Sequence, residues 1–457
     1  MQLTRPTPPN HSAMHDDPTH ELLAVSFSFP PLAAPRSGQV ARLLRHLRFT
    51  TTVVCADERG ARLDPTLEPD AESRLRACLR VPFPPTRARR LADRVAARLR
   101  LPVWGKIPDE YRSWGRPALK AIREFAAEHD YRPDVVVTFG QPMSDHLIGL
   151  RLKTIFGAPW LAHFSDPWVD NPFDRRDSLA RRVNRSLERR VMERADLLVF
   201  TSEETVELVM SKYPAAWREK ARVLPHSFDP ALYPRRVGKT VEGVGGEDEE
   251  GGGVKNEGGG KAGSEEGGKI IVRYTGEFYG RRTPRPLVGT LRAILADAPR
   301  LLEGVRFELI GPVSPDARKE SGLESLPAGL VVTRPPVGYA ESLSLAATAD
   351  GLLVIDAPAA RSVFLPSKLV DYIGAGRPIL GLTPPGASAR LINQLGGWVA
   401  DPSQSSAMRR ATETFLAFLL ERGGASAGPW GEPPVRALYE ADAVAESFAA
   451  MLRELLG

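Results

Sequence analysis

A lysine stands where a helix would ordinarily refuse one. In the stretch 364–382, FLPSKLVDYIGAGRPILGL, Pro366 ends a loop, Ser367 is placed to cap a helix, and Leu369, Val370 and Ile373 give that helix one apolar side. Lys368 therefore falls in the first turn, at the positive end of the helix dipole, which disfavours a cation. Such an ammonium either keeps its head in water or shares an anion such as phosphate with the backbone N–H groups. Gly374 and Gly376 close the helix, and 379–382 continues as an apolar strand.

A second set of polar residues gathers where strands end. In 132–173, RPDVVVTFGQPMSDHLIGLRLKTIFGAPWLAHFSDPWVDNPF, residues 134–139 and 159–164 read as buried strands joined by a helix over 143–156. Residues at the carboxyl ends of such strands face the binding crevice of an α/β sheet. That rule sets Gly140, Gln141, His163, Ser165 and Asp166 at its mouth. A histidine there is more often structural than chemical, and the Asp-Pro-Trp run after it strengthens the chemical reading. Near the start, a strand over 22–29 leads through PPLAAPRSGQ to a helix over 40–48, which puts Ser37 and Gly38 at a helix N-terminus able to receive an anionic group.

The elements that must position these groups are strands alternating with helices, the pattern of a doubly wound parallel sheet, and the pattern occurs twice. With 457 residues the chain is long enough for two domains with separate cores. The expected division is a tail over 1–20, an N-terminal domain over 21–236, a linker over 237–269, a second domain over 270–434, and a C-terminal helix over 435–457 that returns to the first domain. The linker is rich in glycine, glutamate and lysine and has no apolar periodicity to pack. Strand 270–275, loop 276–286 and helix 287–298 open the second domain.

Composition agrees with a globular enzyme: 42% hydrophobic and 26% charged residues are ordinary values. No apolar run approaches the roughly 20 residues that cross a bilayer, and the first 20 residues lack the pattern of a secretory signal. The expected location is the cytoplasm, including the inner face of the membrane. The net charge of +5 favours phosphates or anionic surfaces without choosing among them. TRARRLADRVAARLRLPVWG reads as a basic amphipathic helix followed by tryptophan, suited either to solvent or to an anionic membrane. No nucleic-acid recognition motif accompanies the arginines. Cys55 and Cys78 show no metal-ligand spacing, and no Asp-x-Asp cluster at a strand end offers a metal site.

PSKLVDYIGAGRPIL resembles the nucleotide-sugar segment of retaining glycosyltransferases with the two-domain GT-B fold, the family 4 type often written PSKLFEYMAAGKPVI. The 140–168 block is similar to the acceptor-side wall of the same enzymes. The resemblance implies two Rossmann-like domains facing a cleft, and transfer of a sugar from a nucleoside diphosphate to a glycan or lipid-linked acceptor without cofactor or metal. It gives Asp371 the ribose hydroxyls. Ser367, Lys368, Arg281 and Arg282 receive the diphosphate, and His163 and Asp166 line the reacting side. Five positions depart from the family: Asp371 stands where glutamate is usual, His226 where relatives carry an asparagine, Val363 where they carry the first Glu of an E-x7-E pair, Glu277 where they carry an arginine, and Arg282 where they carry a lysine. A guanidinium grips phosphate in a fork, so the last exchange keeps the chemistry. Two alternatives accompany this reading: a catalytically silent scaffold of the same fold, and a sugar-nucleotide epimerase or hydrolase.

Overall fold

The computed structural model describes residues 20–57, 62–68, 70–83, 107–172, 178–234, 236–237, 240–241, 269–278, 280–422 and 428–457. The basic segment over 86–105 and most of the linker lie outside the described residues.

Short apolar runs buried on both faces make parallel strands, because only helices laid on each side can cover them. In the N-terminal lobe the strands are β1 (Glu21–Val25), β2 (Thr50–Asp57), β3 (Leu75–Pro82), β4 (Val135–Phe139), β5 (Trp160–Phe164), β6 (Leu197–Phe200) and β7 (Ala221–Val223), the edge strands β3 and β7 being less buried than those between them. They form one seven-stranded sheet in the order β3-β2-β1-β4-β5-β6-β7, every pair parallel. After a short hairpin of β8 (Arg236–Val237) and β9 (Thr240–Val241) come β10 (Ile270–Thr275), β11 (Val305–Ile310), β12 (Val331–Arg334), β13 (Gly351–Ile355), β14 (Ile379–Leu382) and β15 (Trp398–Ala400). Their order is β12-β11-β10-β13-β14-β15. The fold is thus two doubly wound α/β lobes.

Strand order reverses beside β1 and β4 in the first lobe and beside β10 and β13 in the second. Such switch points open a crevice beyond the strand ends, because the helices on either side of it lie on opposite faces of the sheet. Alternate side chains feed two cores per sheet: Leu23 and Val25 face one, Leu22 and Ala24 the other. The helix Ala441–Leu456 covers the second of these faces with Val444, Phe448 and Leu452 buried and Met451 and Leu455 packed alongside. The chain is stitched where it crosses between lobes, since Phe228 N–H donates to Tyr439 O (2.9 Å) and Ala441 N–H to Phe228 O (2.8 Å).

Three local expectations shift. The helix expected over 40–48 runs Pro35–Arg45, because proline at its first position has φ preset and no N–H to lose. Residues 74–82, whose pattern reads as a passage from helix to strand, hold the edge strand Leu75–Pro82. Ser367 does not cap its helix: Pro366 holds the extended N-cap position with no side-chain cap, and Ser367 is the first helical residue.

Candidate active site

Both switch points supply the residues that face each other. In the C-terminal lobe β10 ends into a loop carrying Arg282, β13 ends directly before Asp356, and the helix Ser367–Ala375 begins beside them. Arg282 Nη2 lies 3.2 Å from Asp356 Oδ1, whose other oxygen accepts from Thr383 Oγ1 at 2.8 Å. Lys368 Nζ donates to Tyr274 Oη (2.8 Å) and lies 3.9 Å from the centroid of that ring. The lysine therefore turns inward instead of extending into water. Burial, reinforced by the Arg282 charge and opposed by Asp356, pushes its ammonium down to about 7.

Space for this lysine comes from a backbone that only glycine adopts easily. Gly276 has φ +133°, and a Cβ there would lie 2.5 Å from Lys368 Nζ. Gly311, the matching residue after β11, has φ +135° and would place a Cβ 2.3 Å from Gly276 O. Arg281, next to Arg282, is exposed, and Glu277 is exposed on the same loop.

On the N-terminal side His163 is the penultimate residue of β5, with Asp166 three residues on. Arg36, the second residue of the helix Pro35–Arg45, places Nη2 2.9 Å from His163 Nδ1 and 3.3 Å from His163 O. Asp166 accepts from Gln141 Nε2. Burial raises the Asp166 carboxyl, while Gln141, Arg36 and, from the opposite lobe, Arg282 hold it down. That last interaction joins the two faces electrostatically. Ser37 and Gly38, expected to receive an anion, are buried, and a Cβ on Gly38 would lie 2.8 Å from Leu67 Cδ1. The glycine makes room for the packing of 62–68.

Residues 33–226 match the glycosyl transferase 4-like domain. Among solved structures the chain is similar to Anabaena Alr3699/HepE in complex with UDP and glucose, at 14% identity over 95% of this chain and 100% of that chain, TM-score 0.58. It is similar to sucrose-phosphate synthase from Thermosynechococcus elongatus, at 15% identity over 95% and 99%, TM-score 0.59. A UDP-forming trehalose-phosphate synthase from Burkholderia xenovorans aligns at 11% identity over 96% and 100%, TM-score 0.61. No curated protein matches the sequence. Residues 33–226 are similar to that domain, and the chain has the two-domain α/β fold of those structures, GT-B.

In this GT-B protein Asp371 sits at a junction of the lobes. Its Oδ1 accepts from Tyr339 Oη (2.9 Å) and lies 4.0 Å from Arg42 Nη1, while its backbone carbonyl accepts from Tyr233 Oη (2.8 Å). Arg42 donates to Tyr339 Oη and to Glu68 Oε1 (2.9 Å). Burial pushes the Asp371 carboxyl up to about 6, against the pull of Arg42 and Tyr339. Val363, in the place of the family's first Glu, turns its carbonyl to the N-terminal lobe and accepts from Ser202 Oγ (2.7 Å) and Thr205 Oγ1 (3.0 Å). Arg361 pairs with Glu207 at 2.9 Å, and Arg390 grips Glu204 through two contacts of 2.9 and 3.0 Å.

Sequence reading missed Arg36, Arg42 and Tyr339. Arg36 carried the same signal as Lys368, a cation in the first turn of a helix after a strand-end loop. Nothing local marked Arg42 or Tyr339, whose meeting depends on lobe packing.

Proposed function

We propose that this glycosyltransferase moves a sugar from a nucleoside diphosphate to a glycan or lipid-linked acceptor, with retention of configuration and without a divalent metal. Leaving diphosphate carries growing negative charge as the anomeric carbon turns cationic. Lys368, Arg282 and the N-terminus of the Ser367–Ala375 helix would neutralise that charge, Asp371 would hold the ribose, and His163 and Asp166 would line the reacting side. The observation that carries this reading is that Arg282 pairs with Asp356, with Lys368 in electrostatic reach of both and Asp166, in the loop after β5 of the other lobe, in electrostatic reach of Arg282. The UDP and glucose bound to the similar Anabaena protein support a nucleotide sugar as donor. Peripheral contact with anionic lipid at the inner face of the membrane is part of the proposal.

The test is a panel of nucleotide sugars read by thermal shift and by release of nucleoside diphosphate, with Lys368→Ala and Asp371→Ala alongside. Stabilisation by one donor, its slow hydrolysis with the sugar unaltered, and loss of both in the variants are expected. Undiminished donor affinity in both variants would sink the assignment. Binding without any release would favour a silent scaffold, and an altered sugar would favour an epimerase. A chelator is expected to leave the rate unchanged.

A further inference from the structure

The buried face opposite Lys368 contains an arrangement whose chemistry follows from hydrogen-bond valence alone. Arg36 is 7% exposed, with its guanidinium carbon 5.4 Å from the centroid of Phe139 and Nη1 3.4 Å from Gln39 Oε1. These contacts leave Nη2 aimed at His163 Nδ1, 2.9 Å away. A guanidinium has five N–H donors and no acceptor, so the nitrogen it meets must present a lone pair.

We infer that Arg36 is a positioning residue that fixes the tautomer of His163, keeping the imidazole neutral with its single proton on Nε2. His163 then meets substrate as a hydrogen-bond donor and not as a general base, which narrows the role given to it in the proposed transfer reaction and rests on that reading. Protonating the ring would turn Nδ1–H toward an N–H of a cation, joining a donor clash to like-charge repulsion.

Among the described residues, four further titratable groups act on this pair. From the helix Ser144–Phe156 come Asp145 and His146, from the loop after β5 Asp166, and from the segment after β7 His226. Asp145 and Asp166 act on Arg36, supporting its charge against burial, which brings the guanidinium down to about 10 and still leaves it protonated at neutral pH. Burial holds His146 and His226 neutral, each down to about 3, and His146 Nδ1 is already engaged with Thr138 Oγ1 at 2.8 Å. Burial and the nearby Arg36 hold His163 well below the ordinary histidine range as well. The ring also borders a cavity of about 20 Å³ whose lining, including Gln39, Phe139, Pro225, His226 and Val444, offers no carboxylate to stabilise an imidazolium.

The experiment is a long-range ¹H–¹⁵N correlation on the full chain with ¹⁵N-histidine, recorded from about pH 5 to 8 around the ordinary histidine value of about 6.5. His163→Gln assigns the resonance. Expected for the unmodified protein are a pyridine-type Nδ1 and a pyrrole-type Nε2, unchanged over that range. Arg36→Met should let the Nδ1-protonated tautomer appear, because the donor that requires a lone pair there is gone, and Arg36→Lys, whose ammonium is also donor-only, should restore the Nε2-protonated form in most of the population. A proton on Nδ1, a doubly protonated ring at neutral pH, or an Arg36→Met spectrum identical to that of the unmodified protein would overturn the inference. The unmodified spectrum decides the tautomer even where Arg36→Met does not fold. No step uses a substrate, so the result stands or falls apart from the transferase reading.

Discussion

Arg36 and Lys368 each occupy the second position of a helix that starts beside a switch point, one in each lobe. Both offend the helix dipole in the same way. Lys368 has a neutral phenol, Tyr274, as its close partner, and desolvation brings it to about 7, so an arriving anion would stabilise its charge strongly. Arg36 meets an imidazole, with two carboxylates within electrostatic reach, and keeps its charge. On the proposed reading, one cation waits for a ligand and the other organises the protein. The same local anomaly therefore has two uses, and the groups brought to it from distant strands choose between them.

The largest expected effect tests that contrast directly. Lys368→Ala should lower nucleoside diphosphate affinity on the order of 10- to 100-fold by calorimetry, the worth of a hydrogen bond to a charged group at about 1.5–3 kcal/mol. Arg36→Lys should change the same affinity less than about threefold, within about 0.6 kcal/mol. Equal losses would break the distinction between a ligand-holding and a protein-organising cation.

Proton linkage sharpens it. Nucleoside diphosphate affinity should be bell-shaped in pH, falling below about 6 as Asp371 gains a proton and above about 7 as Lys368 loses one. On the alkaline side binding should take up a proton, seen as a calorimetric heat that varies with the buffer. A flat profile would remove both groups from the site.

Gly276→Ala should weaken diphosphate binding and cost about 1–3 kcal/mol of stability in urea melts, because φ of +133° and the 2.5 Å approach to Lys368 Nζ are both lost to a side chain. Gly38→Ala keeps ordinary backbone angles and crowds only the end of Leu67, so its stability loss should be the smaller one.

The smallest effect concerns the bracing of the first lobe. His46 contacts Asp229 at 3.4 Å and Asp442 at 2.6 Å, and these carboxylates raise its pKa despite partial burial. A raised histidine stabilises the fold fully below its unfolded value of about 6.5, and the contribution fades as pH rises through the higher folded value. His46→Ala should therefore cost about 1 kcal/mol near pH 5.5 and much less near pH 8.5 in urea melts. An equal cost at both values would assign His46 to packing alone.

Much of the fold was legible because it is written in short-range pattern. Apolar runs such as Val135–Phe139 and Leu197–Phe200 can only be covered strands, and their alternation with helices leaves the doubly wound arrangement as the natural solution. Lys368 was legible as an anomaly for a similar reason: a cation in a first turn needs only its neighbours in sequence to be noticed. Ser367 was misread because serine and proline both suit a helix boundary, and the rigid φ of Pro366 decided between them.

The amino-acid sequence determined which segments are buried strands, the helix that follows Pro366 and the presence of cations after the strand ends, since each rests on the pattern of residues a few positions apart. Only the tertiary structure decided that Arg36 would meet His163, that Arg42 and Tyr339 would enclose Asp371, and that Val363 would turn its carbonyl to Ser202. Arg42 and Tyr339 alone lie 297 positions apart in the chain. Their partners are chosen by where strands end and how the lobes pack, and no local periodicity encodes that geometry.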